Sequence, residues 1–187
     1  MGKKLSEMTL EELWQLFPIR LTEPQACWEQ WYLEEESLLK KAIPQIYRVS
    51  HIGSTAVSTI WAKPIVDILM EVPKGSNLLD YKALIVENGY ICMAQNEKGI
   101  SFNKGYTENG FAERVFHLHL RYAGDNDELY FRDYLIEFPE IAKEYEQMKL
   151  SLWKVYEHNR DAYTDAKTEF VKKYTERAKR RYGKIVD

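Results

Sequence analysis

The N-terminal part of the chain carries two helix-start motifs, each followed by apolar residues at helical spacing. Thr9 and Glu12 match the capping box, in which a hydroxyl and a carboxylate three residues later bind the first free amides of a helix. Thr22 and Gln25 match the same pattern. The spacing predicts a short first helix and a second helix over residues 24–42, each ended by a following proline.

The central part of the chain shows the two-residue alternation that is typical of strands, whereas the C-terminal part shows helical spacing. Strands are predicted over residues 47–52, 64–72, 90–95, 99–103 and 114–122, with a helix over 77–88 and a polar loop over 105–110. Helices are predicted over residues 126–137, 139–157 and 161–182. Strands in the middle and helices at both ends predict an α+β domain, with the C-terminal helices packed on or beside the sheet.

Length and composition favour one globular domain. The chain has 187 residues, of which 45% are hydrophobic and 29% are charged, so we assign residues 1–187 to one domain with a core at about 21–170. No apolar run approaches the ~18 residues that a membrane span needs, and no apolar signal segment follows the first residues. We therefore expect a cytoplasmic protein with no membrane partner. Cys27 and Cys92 fit no disulfide or zinc pattern and are expected to be reduced thiols.

Charge is unevenly distributed along the chain. Residues 1–140 hold 14 basic and 21 acidic side chains, net −7, and residues 141–187 hold 12 and 8, net +4. The basic end is expected to be a solvated helix terminus, where cations are favoured by the helix dipole; its basic residues are Arg177, Lys179, Arg180, Arg181 and Lys184. Aromatic and basic residues do not interleave as in an RNA-binding sheet, so nucleic acid is not an expected partner.

Two predicted strands each carry one apolar face and one face with polar side chains. In residues 65–72 the odd positions include Asp67 and Glu71, and in residues 114–122 they include His117 and His119. Because side chains two apart on a strand point the same way, Asp67 and a histidine would meet at one ligand if the strands are neighbours. Such a pair suits a divalent metal; the alternative is a polar outer face that contacts only water.

A glycine-containing turn follows the first predicted strand and is a candidate phosphate site. Gly53, Ser54 and Thr55 can expose backbone amides and two hydroxyls, which together bind a phosphate without a charged side chain. Gly-Ser turns are common, so the pattern alone is weak. Lys63 and Asp67 follow about a dozen residues later and add a cation and a carboxylate.

These motifs resemble the signature of the GrpB family, a poorly characterised group with the nucleotidyltransferase fold. The resemblance rests on HIGSTAV at 51–57 and AKPIVDIL at 62–69, and it covers about residues 21–170. Further agreement comes from His117-Leu118-His119, residues 131–135, Pro139-Glu140, Tyr163 and Lys167. The resemblance implies a mixed sheet with flanking helices, Gly53 and Ser54 as the phosphate element, and Asp67 as the first metal-binding carboxylate.

The chain departs from the catalytic pattern of that superfamily, in which two carboxylates on one strand face hold two magnesium ions. Leu69 stands where the second carboxylate is expected. Glu71 lies on the same face but roughly 13 Å from Asp67 at ~3.3 Å per residue. His117 or His119 stands where active members place a third carboxylate, and Ser58-Thr59-Ile60 replaces the usual Pro-Gly-Leu.

Several other residues have a functional and a structural interpretation. His51 either acts as a general base beside the turn or hydrogen bonds to backbone. Arg132 and Lys149 either reach a substrate phosphate or form surface ion pairs, with Glu128 and Glu146 respectively.

Two further features bear on catalysis. Tyr163 and Lys167 are four residues apart on one predicted helix face, so they either point into a cleft together or pack. No Asp and His ordering accompanies Ser54, so a hydrolase triad is not expected.

The function expected from these residues is a metal-dependent transferase that moves a nucleotidyl or related phosphoryl group to a small acceptor. The expected catalytic residues are Asp67, Glu71 and His119; the ligand-binding residues are Gly53, Ser54, Thr55, Lys63 and Arg132; the metal ligands are Asp67, His117 and His119. Magnesium or manganese and a nucleoside triphosphate are the implied cofactor and ligand. The competing hypotheses are a nucleotide or phosphometabolite binding module without two-metal chemistry, which Leu69 favours, and a single-metal phosphohydrolase.

Overall fold

A computed structural model describes residues 3–183 of the chain; Lys184 of the basic end lies outside this range. The N-terminal part contains helices α1 (Leu10–Leu16) and α2 (Cys27–Ala42). The strands and the intervening helix are β1 (Arg48–Ile52), β2 (Val66–Val72), α3 (Leu78–Glu87), β3 (Ile91–Asn96), β4 (Gly99–Thr107) and β5 (Gly110–Tyr122). The C-terminal helices are α4 (Asp127–Glu137), α5 (Pro139–Tyr156), α6 (Arg160–Asp165) and α7 (Thr168–Tyr182). One-turn 3-10 helices lie at Leu5–Glu7 and Ser54–Ala56.

The strands form one mixed sheet in the order β1-β2-β5-β4-β3. The central strands β2 and β5 are parallel, and every other neighbouring pair is antiparallel. The α+β prediction is therefore confirmed, with a mixed five-stranded sheet. Asp67 lies opposite His117 in the β2–β5 register, and Ile52 lies opposite Asp67 on the other side.

One face of the sheet holds the main hydrophobic core. The alternate residues Val66, Ile68, Met70 and Val72 of β2 and Phe116, Leu118 and Leu120 of β5 pack against α2 and α3. Burial of these large apolar side chains is the main source of stability for this layer. The C-terminal helices gather on the other side, where Val57 and Ile60 pack with Leu135, Ala142 and Tyr145.

The two predicted capping boxes have different outcomes. At α1 the prediction is confirmed, since Thr9 Oγ1 accepts from the Glu12 amide and Glu12 accepts from the Thr9 amide. At Thr22 the prediction is wrong, because α2 begins at Cys27. Thr22 instead forms a two-way backbone bridge with Ala62, at 2.9 and 3.1 Å, which holds the segment extended.

Two boundaries in the second half differ from the sequence prediction. The predicted loop over residues 105–110 is instead a tight hairpin, in which β4 and β5 extend until Thr107 pairs with Gly110. A bulge at Gly105 (φ 89°) permits this, since a Cβ there would lie 2.2 Å from the Arg114 carbonyl oxygen. The predicted last helix is divided into α6 and α7.

Within residues 3–183 no helix combines the length and apolarity required to cross a bilayer.

Candidate functional site

A cleft of about 570 Å³ lies between one face of the sheet and the C-terminal helices. Its inner wall comes from the turn after β1, from β2 and β5, and from α5 to α7. The residues that line this cleft include Gly53, Ser54, Lys63, Asp67, His119, Tyr145, Lys149, Tyr163 and Lys167. The volume is within the range of small-molecule sites, roughly 300–1,000 Å³.

Gly53 and Asp67 are in close contact at the base of the cleft. Gly53 has a φ of 71°, which favours glycine. A Cβ at this position would lie 2.4 Å from Asp67 Oδ2. The turn therefore requires glycine both for its backbone conformation and for the space that the carboxylate occupies.

This contact predicts that Gly53→Ala destabilises the fold more than an equally strained substitution without a neighbour. Gly75 is the matched control, since its φ is 87° and nothing lies within 4 Å of the added Cβ. Both variants lose stability through backbone strain of order 1–3 kcal/mol. We expect Gly53→Ala to lose at least about 1 kcal/mol more in urea unfolding. Equal losses for the two variants would contradict the contact.

Asp67, His117 and Tyr106 form a hydrogen-bonded chain. Asp67 Oδ1 lies 3.2 Å from His117 Nδ1, and His117 Nε2 lies 2.8 Å from the Tyr106 hydroxyl. Burial opposes ionisation of Asp67, but the hydrogen bond from His117 and the nearby His119 hold its pKa well below the usual range. Burial lowers the pKa of His117 despite the nearby carboxylate. The pair is therefore an ionised carboxylate and a neutral imidazole that donates from Nδ1.

Three lysines converge on the same cleft. Burial, with repulsion from Lys167 and Arg160, lowers the pKa of Lys63 to about 7. Burial, with repulsion from Lys167 and Lys63, lowers the pKa of Lys149 to about 7. Burial lowers the pKa of Lys167 to about 8, although Asp67 acts in the opposite direction. Three lysines thus lie in the same cleft as the Asp67 carboxylate, whereas the other lining carboxylates, Asp127, Glu128 and Glu176, are on α4 and α7.

Two tyrosines support these lysines. The ammonium groups of Lys63 and Lys167 lie 5.5 and 4.4 Å from the Tyr163 ring centroid, and that of Lys149 lies 4.9 Å from the Tyr145 ring centroid. The Tyr163 hydroxyl is buried and has no hydrogen-bond partner among residues 3–183. A buried hydroxyl without a partner is uncommon. The residue that carries it, Tyr163, lines the cleft.

Lys149 contacts Ser54 rather than the predicted glutamate. Lys149 Nζ lies 3.0 Å from Ser54 Oγ and also donates to the Trp61 carbonyl. Glu146 instead accepts from the Trp61 amide and from Lys143. Lys149 is 2% exposed, so the predicted surface ion pair is wrong.

Thr55 and His51 use their polar atoms within the protein. Thr55 Oγ1 lies 2.9 Å from His51 Nε2 and 3.3 Å from the Ile65 carbonyl oxygen. The His51 ring stacks on Tyr32 at 4.8 Å, and burial lowers its pKa to about 4. His51 is therefore neutral and bound to a side chain, not to backbone as one interpretation expected.

The structure places Glu71 away from the cleft. Glu71 is fully buried, and its carboxylate accepts from Arg48 Nε at 2.6 Å and from the Gly124 amide at 2.9 Å. Asn126 Nδ2 lies 3.3 Å from the same carboxylate. Because these partners occupy the Glu71 carboxylate, the site proposed below omits this expected catalytic residue.

Arg132 also forms its contacts outside the cleft. Its Nη1 donates to the His51 carbonyl at 2.8 Å, and its guanidinium pairs with Asp133. The pair predicted with Glu128 is not the one observed. Arg132 is therefore a support for β1 rather than a part of the cleft wall, and the proposed site omits it too.

Comparisons with known proteins identify the family. The model of the GrpB protein family matches residues 18–177. The chain belongs to the GrpB family. YqkA of Bacillus subtilis is 33% identical over 95% of the chain, which spans only 53% of the length of YqkA. Glutamate-rich protein GrpB of Alkalihalophilus pseudofirmus is 32% identical over 77% of the chain and 86% of its own length.

A solved structure shows the GrpB fold directly. The crystal structure of the conserved protein GrpB from Enterococcus faecalis aligns with a TM-score of 0.74 at 29% identity, over 87% of this chain and 99% of that one. The Cid1 poly(U) polymerase aligns with a TM-score of 0.47 at 11% identity, over 72% and 42% of the two chains. That similarity is too low to bear on substrate or chemistry.

The donor set of this GrpB-family chain does not fit a two-metal centre. Leu69, at the position of the second carboxylate, is fully buried and packs with Ile52 and Leu129. Both nitrogens of His117 are already hydrogen bonded. Among residues 3–183 no group of three or more His, Cys, Asp or Glu side chains is placed to hold a metal. Asp67 Oδ1 and His119 Nε2, 4.0 Å apart, remain as a pair that suits at most one cation.

Sequence reasoning did not include Tyr145 in this GrpB-family cleft, and it gave a cleft position for Lys149 only as the alternative to a surface ion pair. A signal was present, because Ala142, Tyr145 and Lys149 follow one another at helical spacing on the buried side of α5. A lysine on an otherwise apolar stripe indicates a buried cation. Arg160 and Tyr106 carried no comparable signal, since they lie in a short helix and in a bulged hairpin.

Proposed function

We propose that this protein binds a phosphorylated small molecule of the nucleotide class in the cation-lined cleft. The observation that carries the proposal is the convergence of Lys63, Lys149 and Lys167 around a single ionised carboxylate. Like charges this close repel one another, so the free protein keeps them together at a cost that a bound anion offsets. A ligand with two or more negative charges would balance the positive charge of these lysines.

The shape and the lining of the cleft support a ligand larger than a bare anion. The lining lysines Lys63, Lys149 and Lys167 are buried or half-buried, whereas the acidic lining residues Asp127 and Glu176 are exposed. Phe131 and Tyr145 add aromatic surface to the lining. A ligand with phosphates at one end and a polar ring with amino groups at the other suits this gradient, and a nucleoside triphosphate is the first probe.

A second candidate function is metal-dependent nucleotidyl or phosphoryl transfer. The observation that favours it is the Asp67–His119 pair, which suits one divalent cation. Against it, the donor set does not fit two ions, and Lys63 and Lys167 place positive charge near Asp67. Divalent metal and Lys63 would then compete for the same carboxylate, so the two functions differ in their response to metal removal.

The proposed function predicts that binding of ATP weakens as the pH rises above 7. Free Lys63 and Lys167, with pKa values of about 7 and about 8, lose their protons as the pH rises to 9 and must regain them to bind a phosphate. We expect the affinity to fall by up to about tenfold per pH unit for each such lysine. Titration calorimetry from pH 6.5 to 9, in buffers of different ionisation enthalpy, measures both the affinity and the proton uptake. An affinity independent of pH, with no proton uptake, would contradict the proposal.

A further inference from the structure

We propose that Ser54 is a nucleophile and that Lys149 is its general base, so that the protein forms a covalent phosphoryl-serine with its ligand. This inference rests on the proposed function, because the phosphoryl donor has to bind in the cleft first. It extends that function from binding to group transfer, and it assigns the transfer to residues of this chain alone.

The geometry of the Ser54–Lys149 pair carries the inference. Lys149 Nζ and Ser54 Oγ are 3.0 Å apart, within the distance at which a base takes a proton from a hydroxyl. Lys149 is held by a second hydrogen bond, to the Trp61 carbonyl, and is 2% exposed. Ser54 lines the cleft in which the phosphoryl group would lie. Ser54 and Lys149 are thus arranged as the nucleophile and base of a catalytic dyad, and the Trp61 carbonyl orients the base.

The surroundings of Lys149 favour its neutral form. Lys63 and Lys167 repel its charge, Glu146 attracts it, and burial is the largest influence, with a resulting pKa of about 7. A neutral amine has two hydrogens and one lone pair. With one hydrogen donated to the Trp61 carbonyl, the lone pair is available to accept from the Ser54 hydroxyl. Tyr145, one turn before Lys149 on α5, interacts with the same hydroxyl.

The transfer step balances without an additional reactant. Ser54 Oγ forms a bond to the phosphorus of an acyl phosphate, a phosphomonoester or a nucleoside triphosphate, and its proton passes to Lys149 Nζ. The bond between phosphorus and the leaving oxygen breaks, and the leaving group keeps the electron pair. Lys63 and Lys167 balance the charge on the phosphoryl oxygens. Water or an acceptor hydroxyl then attacks the phosphoserine and releases its own proton to the medium. The bond between phosphorus and Ser54 Oγ breaks, and Lys149 returns its proton to Ser54, so both residues regain their free form.

A lysine that only binds phosphate and a lysine that acts as a base respond differently to substitution by arginine. Lys149→Arg keeps a positive charge beside the phosphate but cannot act as a base, because the guanidinium does not lose its proton. If Lys149 only binds, Lys149→Arg keeps the transfer activity. If Lys149 is the base, binding survives and the transfer is lost.

The experiment measures covalent modification and binding in the same samples. Full-length protein is incubated with acetyl phosphate, p-nitrophenyl phosphate or ATP, and intact mass and peptide mapping follow a phosphoryl group on Ser54. At saturating donor, we expect the labelling rate of the wild type to rise with pH through about 7, no label on Ser54→Ala, and at least ~100-fold slower labelling of Lys149→Arg. Calorimetry with inorganic phosphate checks that both variants still bind.

Matched controls lie on the same two elements. Ser58→Ala changes an exposed serine in the same loop, and Lys154→Arg changes an exposed lysine on α5. Both should label like the wild type. Wild-type protein that binds phosphate but takes no label from any of the three donors would overturn the nucleophile and leave the proposed function intact. If Lys149→Arg does not fold, the same conclusion follows from Ser54→Ala together with the pH profile of the wild type, since labelling that is flat from pH 6 to 9 contradicts a base with this environment.

Discussion

Lys63→Met is expected to abolish phosphate binding while making the free protein more stable. Lys63 lies between Asp67 on one side and Lys167 and Arg160 on the other, and its lowered pKa shows that the folded protein disfavours its charge. Removing a partly buried cation that repels its neighbours stabilises the fold by about 1–2 kcal/mol at pH 7, although the contact with the Tyr163 ring is lost. Removing a charge that contacts a phosphate weakens binding by at least ~30-fold.

The measurement is a pair of experiments on Lys63→Met, urea unfolding and calorimetric titration with ATP. Lys98→Met is the matched control, since Lys98 is exposed in the turn between β3 and β4. We expect the control to change neither quantity appreciably. A Lys63→Met variant that is less stable than the wild type and binds ATP equally well would show that Lys63 is a structural cation with no role in binding.

Asp67→Asn is expected to destabilise the protein strongly without loss of phosphate affinity. The ionised carboxylate accepts from His117 and lies among Lys63, Lys167 and His119. Asparagine keeps the shape but removes the charge that balances these cations, at a cost of about 2–3 kcal/mol. Because the pKa of Asp67 is lowered by folding, this contribution is present above the unfolded carboxyl pKa and is lost as the pH falls below it.

The effect of Asp67→Asn on binding separates the two candidate functions. Removing a negative charge from a cationic cleft should leave the affinity for ATP unchanged or raise it several-fold. A metal site centred on Asp67 predicts the opposite, since the variant would lose the carboxylate that pairs with His119. Titration with ATP in the presence of manganese measures this, with Glu108→Gln as the control at an exposed acidic residue.

The alternation of residues in two strands predicted the meeting of Asp67 and His117. Both strands have one wholly apolar face, and the opposite positions carry the polar side chains. Once β2 and β5 are neighbours in parallel register, Asp67 and His117 lie opposite each other. A period of two determines which side chains share a face, so the sequence predicted that Asp67 would meet a histidine if the strands are neighbours. The adjacency of β2 and β5, and the choice of His117 as the partner, came from the structure.

Alternation does not reveal what covers a face. Leu69 and Glu71 share the face of Asp67, and the sequence suggested that this face is open along its length. In the structure Leu129 of α4 packs on Leu69, and the segment before α4 closes over Glu71. Only Asp67 is left at the cleft, because the positions of the C-terminal helices depend on packing between distant segments.

Long-range contacts also explain why Lys149 and Thr22 were misinterpreted. Lys149 has a glutamate three residues before it, so local spacing favoured an ion pair, yet its partner Ser54 is 95 residues away. Thr22 has a local partner for a capping box, but a backbone bridge to Ala62 replaces the helix start. In both cases a local preference worth a few tenths to about 1 kcal/mol was overridden by tertiary packing.

Titration of the wild-type protein with ATP at pH 7, in EDTA and then in manganese, tests the central claim most directly. The claim is that lysines rather than a metal hold the phosphates. The account predicts saturable binding in EDTA that manganese does not strengthen and that Lys63→Met abolishes. Binding that requires manganese, or no binding of ATP or inorganic phosphate under either condition, would contradict it.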